Sequence, residues 1–283
     1  MEKRLLRILP AYYFIYLILI FLLLIKNVGI KFKTLLFVFF LQNFSYPHPL
    51  FFVEAWSLSI EFWFYILFPL FVFILKGYLK LSDKNSILNS IIFFLLFGFL
   101  FRWFRESQMI EIDLFTLDSL FRKQVLTRID SITYGVLGAF IFRYYNSFWN
   151  KYKYLFLILG IIIFTYTKYP ILSTGKFYNA VVLYSLQSIS MLLFLPFFSN
   201  IKNGSGAVFK FVSKISYISY SIYLINLSLV YFNILEKIIF HSISGNYLLL
   251  TKYFLFLTIS YFGAILMYKY VELPFINKYK KIK

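Results

Sequence analysis

The 283-residue chain is 61% hydrophobic and only 14% charged, against about 45–50% apolar and about 25% charged for an average globular domain, which excludes a soluble fold and implies an integral membrane protein. It has no cysteine and two histidines, His48 and His241, so disulfides, thiolate centres and three-histidine zinc sites are excluded and no metal is expected. The formal charge of +18 is dispersed between long aromatic and aliphatic runs, the pattern of membrane spans with basic loops rather than of a nucleic-acid surface.

A bilayer core about 30 Å thick requires roughly 17 to 25 mainly apolar residues per helix. In chain order the candidate spans are 8–25, 56–75, 87–104, 129–143, 154–168, 178–199, 211–233 and 248–268. The first run follows a basic stretch, Met1 to Arg7, but ends in Ile25-Lys26-Asn27-Val28 without a small-x-small cleavage site, so it reads as a retained span. The run Thr34–Phe44 is too short to cross and is expected to be re-entrant or interfacial. These runs predict an all-α, polytopic membrane helix bundle of about eight transmembrane helices plus one short segment, forming a single membrane domain over residues 1–283. With Met1 inside, 17 of the 29 basic residues but only three of the eleven acidic ones fall on the inner side. The excess predicts a multi-pass protein with both termini cytoplasmic.

Ionisable residues within spans are expensive in hydrocarbon and mark functional candidates. Glu61 stands in Trp56-Ser57-Leu58-Ser59-Ile60-Glu61-Phe62-Trp63-Phe64-Tyr65, where Ser57, Glu61 and Tyr65 recur every four residues and share one helix face. A carboxylate between hydroxyls can accept a proton or orient a sugar hydroxyl; the competing reading is a structural ion pair with an arginine from another span. Arg4 and Arg7 lie three apart at the inner end of the first helix. They read either as a positive-inside anchor or as two planar forks for phosphate.

Arg128 and Asp130 open the span that contains Gly135 and Ala139, a small-x3-small step suited to close helix packing. The two charges can pair with each other or with Glu61, or contact an acceptor at the outer mouth. Further along, Tyr217 and the i, i+4, i+7 series Ser219, Tyr223 and Asn226 give a polar stripe, for interhelical hydrogen bonding or for lining a cavity. His48, between Pro47 and Pro49, and His241 are both expected in loops.

Four of these stretches, Arg4 to Tyr13 (RLLRILPAYY), Trp56 to Pro69 (WSLSIEFWFYILFP), Arg128 to Ala139, and Ser216 to Leu224 (SYISYSIYL), together with Tyr270-Val271-Glu272-Leu273-Pro274-Phe275, resemble the membrane acyltransferase-three family, which includes polysaccharide O-acetyltransferases. The resemblance implies transfer of an acyl group, in the first instance acetyl, from cytoplasmic acyl-CoA to a hydroxyl of a cell-surface polysaccharide or lipopolysaccharide in the bacterial inner membrane. Acyl-CoA is then a co-substrate rather than a bound cofactor, and the partners are the envelope glycan and the lipid bilayer. Arg4 and Arg7 match the family's Arg-x-x-Arg motif, which favours donor binding for them. Glu61 is the candidate catalytic residue, and Trp56, Ser57, Tyr65, Arg128, Asp130, Tyr217, Tyr223 and Asn226 are acceptor or site-lining candidates.

There are departures. Family members usually begin with two further spans, the first bearing an Arg-x10-His motif whose histidine is thought to be the catalytic base, and this sequence starts after them. It therefore resembles an N-terminally truncated member, from a split gene, a late start site or a decayed copy, and a separately encoded N-terminal fragment is the partner so implied. Asn226 stands where the family's serine-tyrosine block usually ends in histidine. Two other classes compete: a transporter or flippase of glycan intermediates, for which no inverted repeat is visible, and a non-catalytic remnant.

Overall fold

The computed structural model describes residues 2–168, 175–201, 204–239 and 248–282, with side chains for 8–168, 175–201, 204–236 and 250–278. Among the described residues there is no strand, and the architecture is the all-α polytopic bundle expected. Among the described residues seven helices are long and apolar enough to cross a membrane: Ile8–Ile25, Ala55–Gly77, Asp83–Ser107, Val125–Tyr144, Tyr178–Phe198, Gly206–Glu236 and Leu250–Lys278. The run expected over 154–168 forms the apolar helix Lys153–Tyr166, of 14 residues. At 1.5 Å per residue it extends about 21 Å, short of a bilayer core about 30 Å thick.

The chain divides into two compact units. One comprises residues 1–42, 49–55 and 204–283; the other comprises 43–48 and 56–203.

In the first unit the short run is not a span. Phe32–Leu35 makes one helical turn and Leu36–Phe39 a tighter 3-10 turn, ended by Phe40 in the left-handed region at φ 56°. Irregular backbone at membrane depth is tolerated only where its polar groups are satisfied by protein. Three tyrosines of the first helix do this: Tyr12 donates to the Phe37 carbonyl at 2.8 Å, Tyr13 to Val38 at 2.8 Å and Tyr16 to Thr34 at 3.3 Å. The Tyr12 ring, fully buried, stacks on Phe40 and Phe52 with centroids 4.4 and 5.3 Å away. Offset aromatic packing of this kind adds to area burial.

The second unit is built on phenylalanine. Phe64, Phe68, Ile91, Phe94, Ile129 and Phe140 form its buried core, with Phe64 stacked on Phe68 at 5.1 Å and Phe68 tilted against Phe94 at 5.6 Å. Lipid tails are as apolar as these side chains, so helix association rests on shape fit rather than hydrophobic exclusion. Ser82 starts the Asp83–Ser107 helix, its side chain accepting from the Asn85 N–H at 3.3 Å and occupying one of the donors that a helix start leaves open. At Gly160 a Cβ would come within 2.9 Å of the Phe194 ring, so the Lys153–Tyr166 and Tyr178–Phe198 helices approach at a distance that only glycine allows.

Several helices contain a widened turn closed by i→i−5 hydrogen bonds. Leu183 donates to the Tyr178 carbonyl, Lys123 to Asp118 and Leu273 to Tyr268. Such turns release backbone groups from the α pattern and collect at functional sites.

Candidate functional site

Among the described residues the largest fully buried side chain of the second unit is Arg102, on the Asp83–Ser107 helix. Its Nη1 and Nη2 donate to Asp130 Oδ1 and Oδ2 at 2.9 and 2.8 Å. Nη1 also reaches the Thr127 carbonyl at 2.6 Å, Nη2 the Ser185 hydroxyl at 2.7 Å, and Nε the Val181 carbonyl at 3.2 Å. A guanidinium has five N–H donors, and this network gives each a partner. Val181 lies in the Tyr178–Val182 widened turn, where the altered register leaves its carbonyl available. The expected pairing of Asp130 with Arg128 or Glu61 is thus corrected, because both Asp130 oxygens are held by Arg102. The sequence reading missed Arg102, although an arginine ending the apolar run Ile91 to Phe101 was a visible signal.

Beside this pair lies a cavity of about 730 Å³. Arg122, Arg128 and Lys168 give it charge, Ser131, Tyr134, Gln187 and Ser188 give it hydroxyl and amide groups, and Ile132, Phe164, Met191 and Leu192 give it an apolar wall. The Arg128 guanidinium faces the Tyr184 ring at 4.8 Å from its centroid. Trp56 comes near the same group of charges, since the Arg122 guanidinium lies 5.5 Å from its ring centroid. Arg122 is held in turn by Asp118, which also binds Lys123 at 2.5 Å. Asp118 sits below the ordinary aspartate pKa: partial burial pushes it up, but hydrogen bonds from Lys123 and Arg122 outweigh that. Gly135 lines the cavity, and a Cβ there would meet nothing within 4 Å. The close helix approach expected at Gly135 occurs instead at Gly138, where a Cβ would lie 2.8 Å from Leu192.

Glu61 is half-buried on the Ala55–Gly77 helix with Ser57 and Tyr65 on its face. Tyr65 donates its hydroxyl to Glu61 Oε1 at 2.5 Å, the i, i+4 relationship read from the spacing. Among the described residues no arginine or lysine pairs with Glu61.

The first unit holds a second carboxylate that the sequence reading passed over. Glu54, 2% exposed, accepts at Oε1 from the backbone N–H groups of Leu227 and Ser228, both at 2.7 Å, and at Oε2 from the Ser228 hydroxyl. Leu227 and Ser228 begin the widened segment Asn226–Ile239, so Glu54 collects donors that the change of register releases. Ser228 Oγ accepts from the Val53 N–H at 2.8 Å, and Tyr223 donates to the Glu54 carbonyl at 2.5 Å. Burial pushes the Glu54 pKa up, while the hydrogen bonds from Ser228 and Leu227 pull it down less strongly. Ser228 also lines an apolar cavity of about 310 Å³ with Leu19, Leu23, Phe51 and Phe232. Since each Glu54 oxygen is already engaged by donors, it reads as an anchor for the helix break.

The expected polar stripe is only partly assembled. Tyr223 reaches Glu54, and Asn226 Oδ1 accepts from the next residue's N–H at 2.7 Å, whereas Ser219 turns back to the Ser216 carbonyl at 2.9 Å and Tyr217 is 63% exposed. The buried polar contacts of this helix come from the intervening positions. Tyr220 donates to the Ile8 carbonyl at 2.9 Å, and Ser221 bonds the fully buried Glu272. His48 is in a loop, as expected, but buried. Arg4 and Arg7 are helical, with side chains outside the described residues, as is His241.

A polytopic bundle of apolar helices with charged and hydroxyl-bearing residues held between them defines a multi-pass membrane protein. The family model described as an acyltransferase domain matches residues 1–269. The chain belongs to the acyltransferase-three family, and acyl transfer is the reaction class that this membership supports. No match was found among curated proteins or among solved structures.

Proposed function

We propose that the protein transfers an acyl group, acetyl in the first instance, from cytoplasmic acyl-CoA to a hydroxyl of a cell-surface polysaccharide or lipopolysaccharide, in the bacterial inner membrane, with the short Lys153–Tyr166 helix completing an eighth crossing in a locally thinned bilayer so that both termini are cytoplasmic. The family match over residues 1–269 carries this reading. Glu61 is its general base: its carboxylate takes the proton of the acceptor hydroxyl as the hydroxyl oxygen attacks the thioester carbonyl. The new C–O bond replaces C–S, and the CoA sulfur leaves and is protonated. Tyr65, donating at 2.5 Å, fixes the carboxylate rotamer. Arg4 and Arg7 take the donor phosphates, and Trp56, Ser57, Arg128 and Asp130 belong to the acceptor side, Asp130 indirectly through its bond to Arg102.

The test is transfer of labelled acetyl from acetyl-CoA to envelope glycan by the purified full chain in liposomes, assayed alone and with a family-type N-terminal pair of spans co-produced. Transfer that is lost in Glu61→Gln supports the reading. Undiminished transfer by that variant removes Glu61 from the role of base, and no transfer in either arm rejects the reaction.

A further inference from the structure

The cavity of the second unit carries more positive charge than its own acids balance. Asp130 is committed to Arg102 through both oxygens. Asp118 is shared between Arg122 and Lys123, leaving one excess charge in that trio. Lys168 lies over the Phe164 ring at 4.8 Å and pairs with no acid among the described residues. Arg128 is the sharpest case: its Nε and Nη1 are closed off from solvent and have no hydrogen-bond partner among the described residues. The Tyr184 ring covers a face of the guanidinium but does not replace acceptors in its plane. An unpaired buried guanidinium is costly, and the arginine that carries it lines a cavity of about 730 Å³, a setting suited to an oxyanion.

The charge count selects among oxyanions. Arg128, Lys168 and the excess of the Arg122 trio together suit a ligand bearing two or more negative charges, which a phosphate monoester or diphosphate supplies and a single carboxylate does not. The wall of Ile132, Phe164, Met191 and Leu192 adds a requirement for an apolar portion next to the charge. We infer that this cavity binds a phosphate or diphosphate ester attached to an apolar chain, with Arg128 as its buried ligand and Arg122 and Lys168 completing the charge. Two sources carry that chemistry, a lipid-linked phosphate and the phosphates of an acyl-CoA. The binding stands on the cavity's own charge, independent of which acceptor is acylated.

Isothermal titration of the full chain in the neutral detergent dodecyl maltoside tests this, with farnesyl diphosphate, farnesol and acetyl-CoA as probes. Farnesyl diphosphate is expected to bind and farnesol not to. Arg128→Gln should weaken binding by about tenfold or more without lowering the melting temperature, because Nε and Nη1 leave no partner behind. Arg128→Lys should retain part of the affinity. Lys168→Gln, at an exposed position, should weaken binding severalfold and flatten its salt dependence, a check that holds even where Arg128 variants fold poorly. Competition by acetyl-CoA that depends on Arg128 assigns the site to the donor, and its failure to compete assigns it to a lipid phosphate. Equal affinity for farnesol and farnesyl diphosphate, absence of diphosphate binding to the folded wild type, or unchanged affinity in Arg128→Gln and Lys168→Gln would overturn the inference.

Discussion

Arg102 and Asp130, 28 positions apart, face each other through two parallel hydrogen bonds of 2.9 and 2.8 Å, and neither side chain is more than 2% exposed. The pair joins the Asp83–Ser107 helix to the start of the Asp130–Tyr144 helix, and through the Val181 carbonyl and the Ser185 hydroxyl it also ties in the Tyr178–Phe198 helix. Removing one partner leaves a buried charge uncompensated. Arg102→Ala is expected to destabilise the protein by about 3–5 kcal/mol, read as loss of monodisperse protein after heating in detergent. The double variant Arg102→Met with Asp130→Leu should recover part of this, though not all, since the Thr127 and Val181 carbonyls stay unpaired.

Gly98 makes that pair sterically possible. A Cβ there would lie 2.7 Å from both Cβ and Cγ of Asp130, and backbone on one side and a clamped carboxylate on the other leave little room to yield. Gly98→Ala should cost about 1–3 kcal/mol, measured by the same heating assay, whereas Gly135→Ala, with open space around it, should be close to neutral.

Glu54 gives a pH dependence of stated sign. Burial raises its pKa in the folded chain, so folding favours the protonated form. The stabilisation from proton uptake is complete below the ordinary glutamate value, about 4.3, and is lost as pH rises through the raised value. Melting temperatures measured across that window should fall with pH in the wild type and less in Glu54→Gln. Glu54→Ala should be worse at every pH, since it orphans the Ser228 N–H at about 1–3 kcal/mol, while the Leu227 N–H keeps Asn226 Oδ1.

For Glu61→Gln the expected signature is kinetic. Turnover should drop by about 10² to 10⁴ with melting temperature unchanged, because the Tyr65 hydroxyl can still donate to the amide oxygen. Tyr65→Phe, which frees the carboxylate to rotate, should give a smaller loss in kcat. A stability loss in Glu61→Gln as large as in Arg102→Ala would mark Glu61 as structural instead.

The helical architecture was legible from run lengths because each span must satisfy its own backbone in hydrocarbon, and the Glu61–Tyr65 contact followed from a four-residue spacing. What escaped depended on relations between distant segments. Nothing local to Asp130 indicates that its partner is Arg102 rather than Arg128 two residues away, and the choice is made by helix packing around Gly98. Glu54 was hidden for another reason. It precedes the Ala55–Gly77 helix in a connection, and its partners exist only because the helix after Ile225 changes its winding, which residue spacing at 3.6 per turn does not disclose.

The widened turn at Tyr178–Val182 makes the second unit sensitive to chain length as well as to side-chain identity. A single-residue deletion at Val182 would let that turn close to ordinary α winding, rotating one flank against the other by about 100°. Val181 and Ser185 stand on opposite flanks of such a cut, so the shorter helix could present at most one of them to Arg102 at a time. Every apolar side chain facing the core could be retained and the polar node would still come apart, so length changes here should be far less tolerated than conservative substitutions.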